Sequence, residues 1–497
     1  MVIVASFCVF LALFIGVGIL SGRERKSTTE DYLVAGRTVG PMLTGLSAVA
    51  SNNSGYMFVG LIGYTYLKGI EAFWVTFLWV LGDYISWHWF HERVRVQSEA
   101  VGANSAPTLL GAPSRGERDR VVIALAGLAT LVLLGLYAAA QLKAGSAATA
   151  ALFGWPSWLG AAVGAGVVVV YCFSGGIRAS IWTDAAQSVV MMGAMLLLVG
   201  HAVVEVGGPS DLFAALEALE NPDPEGWSAE GIDFGKALTT WVPTGLTLGF
   251  GAYLLGFLFA GLGTIGQPHI LIRFMAIDSV DSMKKARTIY FAWYTFFSVL
   301  ALAVGLYARV LLPELTLGLS EPDLTAAAEK ALPTLSLHLL PSVFVGIILA
   351  GLFAATMSTA DSQVLSCSAA LTQDLFPRLG RSYVAAKIAT IGVVLLALCA
   401  ALYATSGVFS LVLVAWAGLG AIFVPILLVR LARLPLPTWL AVAMMALGIG
   451  VVTWWGGTEH ASSVFKGMPG ILAPLALYAG AYHLMLRRQS SDQIEES

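Results

Sequence analysis

The sequence predicts an all-α polytopic membrane protein with about 13 transmembrane helices, and three observations carry that prediction. Of 497 residues, 58% are hydrophobic and only 11% are charged; ordinary soluble domains run at roughly half and a quarter. The surface of a soluble fold grows nearly as fast as its mass, so a soluble chain of this length could not hide such an apolar excess. The apolar residues fall in runs of about 20, the length of helix that crosses the hydrocarbon core. Lys and Arg alternate between the connecting segments: 21 of the 27 follow odd-numbered runs, and six lie on the other side. A missed or extra run would scramble this alternation, which sets the N-terminus outside and the C-terminus in the cytoplasm. The same composition excludes disorder, and a formal net charge of −3 gives no basic field to attract nucleic acid.

The runs lie near 2–20, 42–66, 70–90, 120–142, 156–173, 181–204, 238–264, 288–312, 335–357, 385–403, 406–429, 435–455 and 468–486. Span 1 has no basic stretch before it and no small-residue cleavage site after it, so it reads as a retained span rather than a signal peptide. Span 2 is interrupted at Ser47 to Gly55 by SAVASNNSG, whose side chains compete with the helical backbone. Broken backbone survives in lipid only where it lines a cavity. Span 6 opens with Asp184, a carboxylate that needs a partner, a cation or the interface. Span 7 carries Gly245, Gly249, Gly251, Gly256, Gly261 and Gly263 and gives way to GQPHILIRFMA, where Pro268 ends regular helix. Broken spans five apart fit a 5+5 inverted repeat of spans 2–6 and 7–11, over about 42–204 and 238–429. C-terminal spans then fill 435–486, and the polar cytoplasmic tail 487–497 is expected to be disordered. The outer loop 205–237 is acidic. No soluble domain is expected, so 1–497 reads as one transmembrane transporter domain in the plasma (inner) membrane. Cys8, Cys172, Cys367 and Cys399 read as small buried hydrophobes, with no metal-ligand spacing among them.

Span 9 runs into GLFAATMSTADSQ, where Ser358 and Thr359 are adjacent hydroxyls. Hydroxyls together with the freed carbonyls of a broken helix suit a small hard cation such as Na⁺. The alternative is back-bonding of both hydroxyls within their own helix. Asp361 lies two positions on and is expected on another face, whereas His269 and Arg273 are expected as a cytoplasmic polar cluster after span 7. Neither HExxH nor GxSxG occurs, so an intramembrane enzyme is not expected.

Six ordered segments resemble the sodium/solute symporter family, and within it the sodium/proline symporters: DYLVAGRTVGPMLTGLSAVASNNSG, WHWFHERVRVQSE, SGGIRASIWTDAAQ, GQPHILIRFMAIDS, MSTADSQVLSCSAALTQDLF and LVAWAGLGAIFVP. The resemblance implies a leucine-transporter-like fold and Na⁺-coupled import of a small organic solute, proline or a related amino acid, by alternating access. It implies a Na⁺ site built from the carbonyls of Ala50, Asn53 and Ala355 and the hydroxyls of Ser358 and Thr359. Asp184 matches a carboxylate associated with a second cation or with ion exit. Asn52, Ser54, Gly55, Tyr137 and Ala260 fall at solute-binding positions. Two of these depart from the proline carriers, which hold Asp where this chain has Asn52 and Trp where it has Ala260. The changes leave room for another amino acid, a carboxylate, a vitamin or a sugar, and some relatives use such a domain as a sensor. The implied partners are the bilayer and a small-molecule substrate, with no obligate protein partner.

Overall fold

The computed structural model describes residues 1–24, 26–112, 117–220, 238–320, 323–403 and 407–495. Each of the thirteen predicted spans falls on helix, as it must where the bilayer offers backbone groups no partner. Among the described residues, nine helices are long and apolar enough to cross a membrane, with Ser157–Val206 counted once. That helix comprises spans 5 and 6, separated at Gly176, where φ is 58° and ψ −139°. Only glycine adopts this conformation readily, and a Cβ there would stand 2.4 Å from the Tyr32 carbonyl oxygen. Arg178, just past the corner, pairs with Asp31 at 2.7 Å and fastens it to the segment before span 2.

Both broken helices are present, and the second differs from expectation. Span 2 is helical over Pro41–Asn52, interrupted at 53–55, then resumes through a π-helical turn, Tyr56–Leu61, into Ile62–Lys68. Span 7 runs over Gly249–Leu262, tightens into a 3₁₀ turn at Gly263–Gly266, breaks at Gln267 and restarts over Pro268–Ala276. The predicted limits of 238–264 are therefore shifted toward the N-terminus. Pro268 does not end the span: at the first helical turn its missing N–H costs nothing, so it begins the second half. His269 and Arg273 consequently lie in the buried core and not in a cytoplasmic loop.

Span 9, Ser342–Leu375, is the central post, buried almost continuously from Val345 to Ala370. Its small residues let spans 1, 4, 5 and 6 approach closely, the packing mode of helices in lipid. Span 3 (Ala72–Trp89) crosses span 7 at a pair of glycines; a Cβ on Gly261 would lie 2.1 Å from the Trp79 carbonyl oxygen. At one end of the bundle Val39 pairs with Ile277 as a single parallel bridge. Val39 donates its N–H to the Ala276 carbonyl (3.1 Å) and accepts from the Asp278 N–H (2.9 Å). Arg37 reinforces the junction, donating to the carbonyls of Met275 (2.9 Å) and Ala103 (2.6 Å).

Other expectations need correcting. The last helix, Gly467–Glu495, carries helical backbone through most of the tail expected to be disordered. Cys172 and Cys367 are buried, but Cys8 and Cys399 are exposed on apolar helix faces, because a lipid-facing position is as compatible with a small thiol as a packed one. The acidic part of the predicted outer loop, 221–237, lies outside the described residues.

Candidate functional site

The interruption of span 2 frees carbonyls that a continuous helix would consume. Asn53 ends the first half, its N–H donating to the Val49 carbonyl at 2.8 Å and its side-chain amide to the same oxygen at 3.0 Å. Helical bonding resumes when Met57 N–H donates to Ser54 O at 2.9 Å. Span 9 faces this gap. The Ser358 hydroxyl lies 3.1 Å from both the Ala50 and Ala355 carbonyl oxygens. The Thr359 hydroxyl lies 3.1 Å from the carbonyls of Ala355 and Ser51. Four of the five predicted ion-site residues, Ala50, Ala355, Ser358 and Thr359, therefore converge in a buried cluster of neutral hard oxygens. Asn53 stands at the break itself, and its side-chain oxygen has no partner among the described residues.

Beside this cluster lies a charged network. Asp184 Oδ2 accepts from Ser47 (2.6 Å), Arg273 Nη2 (3.0 Å) and, more distantly, Ser51 (3.4 Å). The same Arg273 nitrogen reaches Ser180 (2.9 Å) and Ser362 and stands 4.0 Å from Asp361. Asp361 accepts from Ser180 at 2.9 Å and from Ser362 at 2.8 Å. All of these side chains are buried. Asp361 is therefore not on a separate face: three positions from Ser358, it lies on the same side of span 9, as helical periodicity requires. Asp184 is not interfacial, because an arginine from the second half of span 7 supplies the positive charge that a buried carboxylate needs.

The predicted solute residues fall into three separate neighbourhoods. Ser54 Oγ and Tyr137 Oη are 3.2 Å apart, and the Gly55 N–H donates to Gln141 at 3.0 Å, so the loop of span 2 docks on span 4. The Tyr137 ring meets His269 edge-on, with centroids 5.7 Å apart. Asn52 points the other way, donating to Tyr290 Oη (2.6 Å) and Asp83 Oδ2 (3.4 Å). Ala260 joins neither group. Its carbonyl accepts from Trp416 Nε1 at 2.9 Å, and the Trp416 ring packs on Trp79 with centroids 5.2 Å apart. The indole in this region thus comes from span 11. Sequence reasoning missed Asp83, Tyr290 and Trp416, and it misplaced Arg273 and Asp361. A signal existed for Asp83, a lone carboxylate inside an apolar run.

The profile of the sodium:solute symporter family matches residues 32–433, most of the chain. The chain belongs to that family. Na⁺ is accordingly the coupling ion of this symporter, and its cargo is a small solute carried across a membrane by a multi-pass protein. The symporter is 32% identical to the sodium/proline symporter of Escherichia coli K12 over 90% of this chain and 87% of that one. It is 29% identical to a high-affinity proline transporter of Bacillus subtilis 168 over 91% and 92% of the two chains. Among solved structures, the symporter superposes on a substrate-bound, outward-open Na⁺-coupled sialic acid symporter with a TM-score of 0.78. Identity there is 19%, over 97% of this chain and 98% of that one, so the likeness is one of fold. A nucleobase-cation-symport-1 transporter in a closed conformation follows at a TM-score of 0.52, with 16% identity over 90% and 94%. These neighbours give the symporter the leucine-transporter-like, five-plus-five architecture.

Proposed function

We propose that this symporter imports proline or a closely related amino acid, driven by one Na⁺ bound between the break in span 2 and span 9. The observation carrying the reading is the convergence of the Ala50 and Ala355 carbonyls with the Ser358 and Thr359 hydroxyls. Asn53 is proposed to contribute its backbone carbonyl as the fifth oxygen. Both hydroxyls now donate to carbonyls; an arriving cation takes the oxygen lone pairs and the hydrogens turn away. Bound Na⁺ thereby ties the first half of span 2 to span 9 and fixes the loop holding Ser54 and Gly55. Solute then favours Na⁺ by the same coupling energy, and closure rocks one bundle against the other. The membrane potential adds about 2.3 kcal/mol per charge per 100 mV. Asp184, beside the cluster, is proposed to receive the ion on exit or to hold a second one.

The proposed orientation places the N-terminus outside and the C-terminus in the cytoplasm of a plasma (inner) membrane. In this reading the symporter is a single transport unit that works without a catalytic step or an obligate protein partner. Proline is supported by the two relatives named above. Asn52 and Ala260, where the resemblance leads one to expect Asp and Trp, favour a second reading in which the same machinery carries a different solute.

Uptake of labelled L-proline into proteoliposomes, with and without an inward Na⁺ gradient, tests the proposal. Na⁺-dependent accumulation is expected. Flux of other solutes but not proline would move the reading to the second one. Replacing Ser358 and Thr359 together with Ala is expected to abolish Na⁺ dependence, and wild-type Na⁺ dependence in that variant would overturn the ion site.

A further inference from the structure

Two buried carboxylates, Asp83 and Asp374, take no part in the machinery described so far; Asp374 accepts from Ser105 and Thr108, and Asp83 is the one beside the broken helices. Asp83 is fully buried near the middle of span 3. Its Oδ2 accepts from Tyr290 Oη at 2.5 Å and from Asn52 Nδ2 at 3.4 Å. Its Oδ1 has no hydrogen-bond partner among the described residues. The other buried aspartates nearby have cations: Asp184 and Asp361 share Arg273, and Asp31 holds Arg178. No ion pair among the described residues includes Asp83. A buried charge with no partner costs several kcal/mol, so this group awaits a proton or a positive ligand.

Its position decides between them. Asn52 is the last residue of the first half of span 2, and Thr264 lies in the turn where span 7 breaks. The Thr264 hydroxyl in that turn is buried, with no hydrogen-bond partner among the described residues. The close crossing of spans 3 and 7 at Gly82 and Gly261 brings the carboxylate there. Asp83 therefore faces the point where both discontinuous helices open, which is where carriers of this architecture bind their cargo. It is also separate from the sodium cluster, since it bonds to none of Ala50, Ala355, Ser358 or Thr359.

We propose that Asp83 is the anionic anchor for a protonated amino group on the transported solute, with Tyr290 and Asn52 holding one carboxylate oxygen and leaving the other for the solute N–H. The inference rests on the symport reading and narrows its cargo. An amino or imino acid brings the missing charge. A carboxylate without an amine is repelled, and a sugar leaves the aspartate unpaired.

The test is Na⁺-driven uptake by the wild-type carrier in proteoliposomes from a panel of free amino and imino acids, their N-acetyl derivatives, the corresponding 2-hydroxy acids and a neutral sugar. Free amines are expected to be carried, and N-acetyl and hydroxy analogues to lose at least about tenfold in apparent affinity, the worth of one charge-assisted hydrogen bond. Asp83→Asn is expected to raise the apparent KM for the best amine by about tenfold or more, and Asn52→Asp combined with Asp83→Asn to recover part of it. Equal uptake of N-acetyl or hydroxy analogues by the wild type would overturn the proposal while leaving Na⁺ symport intact. An unchanged KM in Asp83→Asn would do the same. Absence of Na⁺-dependent flux for the whole panel would overturn both this inference and the reading beneath it. The wild-type panel requires no variant to fold.

Discussion

Arg273 is the residue on which the charge balance of the interior turns. It serves two aspartates and three serines without exposure to solvent. Removing it leaves Asp184 and Asp361 buried with no cation, so Arg273→Met is expected to destabilise the carrier by about 3–5 kcal/mol. Thermal unfolding in detergent reads this as a large fall in melting temperature. Adding Asp184→Asn to that variant is expected to restore part of the loss, because one orphaned charge disappears with it. Full additivity of the two changes would mean that the pair is not energetically coupled. The sequence disclosed Asp184 and the Ser358–Thr359 pair but not their neighbour. Periodicity tells which residues share a face of one helix; it does not tell which face of another span meets them, and here the partners are 89 positions apart.

At the level of helices, the two interruptions had different visibility. Ser-Asn-Asn-Ser-Gly is poor helix material wherever it falls, so the break in span 2 could be read directly. The break in span 7 rests on a proline that ends a helix in one context and begins one in another, and only packing decides. The gap between spans 5 and 6 was legible in the apolar runs, but not its requirement for one particular glycine. Gly176→Ala would have to adopt φ 58° and push against Tyr32. Backbone strain alone costs about 1–3 kcal/mol. The variant is expected to yield much less monodisperse protein in size-exclusion chromatography, whereas Gly166→Ala, in open space on the same helix, is expected to behave as wild type.

For the whole molecule, coupling is reciprocal. If Na⁺ organises the loop that holds the solute, then saturating solute must tighten Na⁺ by the same factor that saturating Na⁺ tightens solute. Equilibrium titrations of each ligand in the presence and absence of the other are expected to give equal ratios. Unequal ratios at equilibrium would mean that additional ions or protons take part. The span count and architecture were legible because hydropathy and the Lys/Arg asymmetry are properties of the chain as a whole. The solute neighbourhoods were not, since they depend on which side of each break a side chain leaves.

The bridge between Val39 and Ile277 has a mechanical consequence. Backbone bonds join the entry of one interrupted helix to the exit of the other, across more than 200 positions of sequence. The two cannot slide past each other without breaking them, so at that end they form one lever. A disulfide engineered between Val39→Cys and Ile277→Cys should therefore leave turnover nearly intact. A crosslink from the lever to the segment carrying Ala103, Arg37→Cys and Ala103→Cys joined by a short, reducible bis-methanethiosulfonate because an arginine-length gap exceeds a disulfide's reach, should arrest it if that segment moves separately. Comparing the two in a cysteine-free background, with and without reductant, would reveal whether the parts that move during the cycle are single helices or a rigid pair.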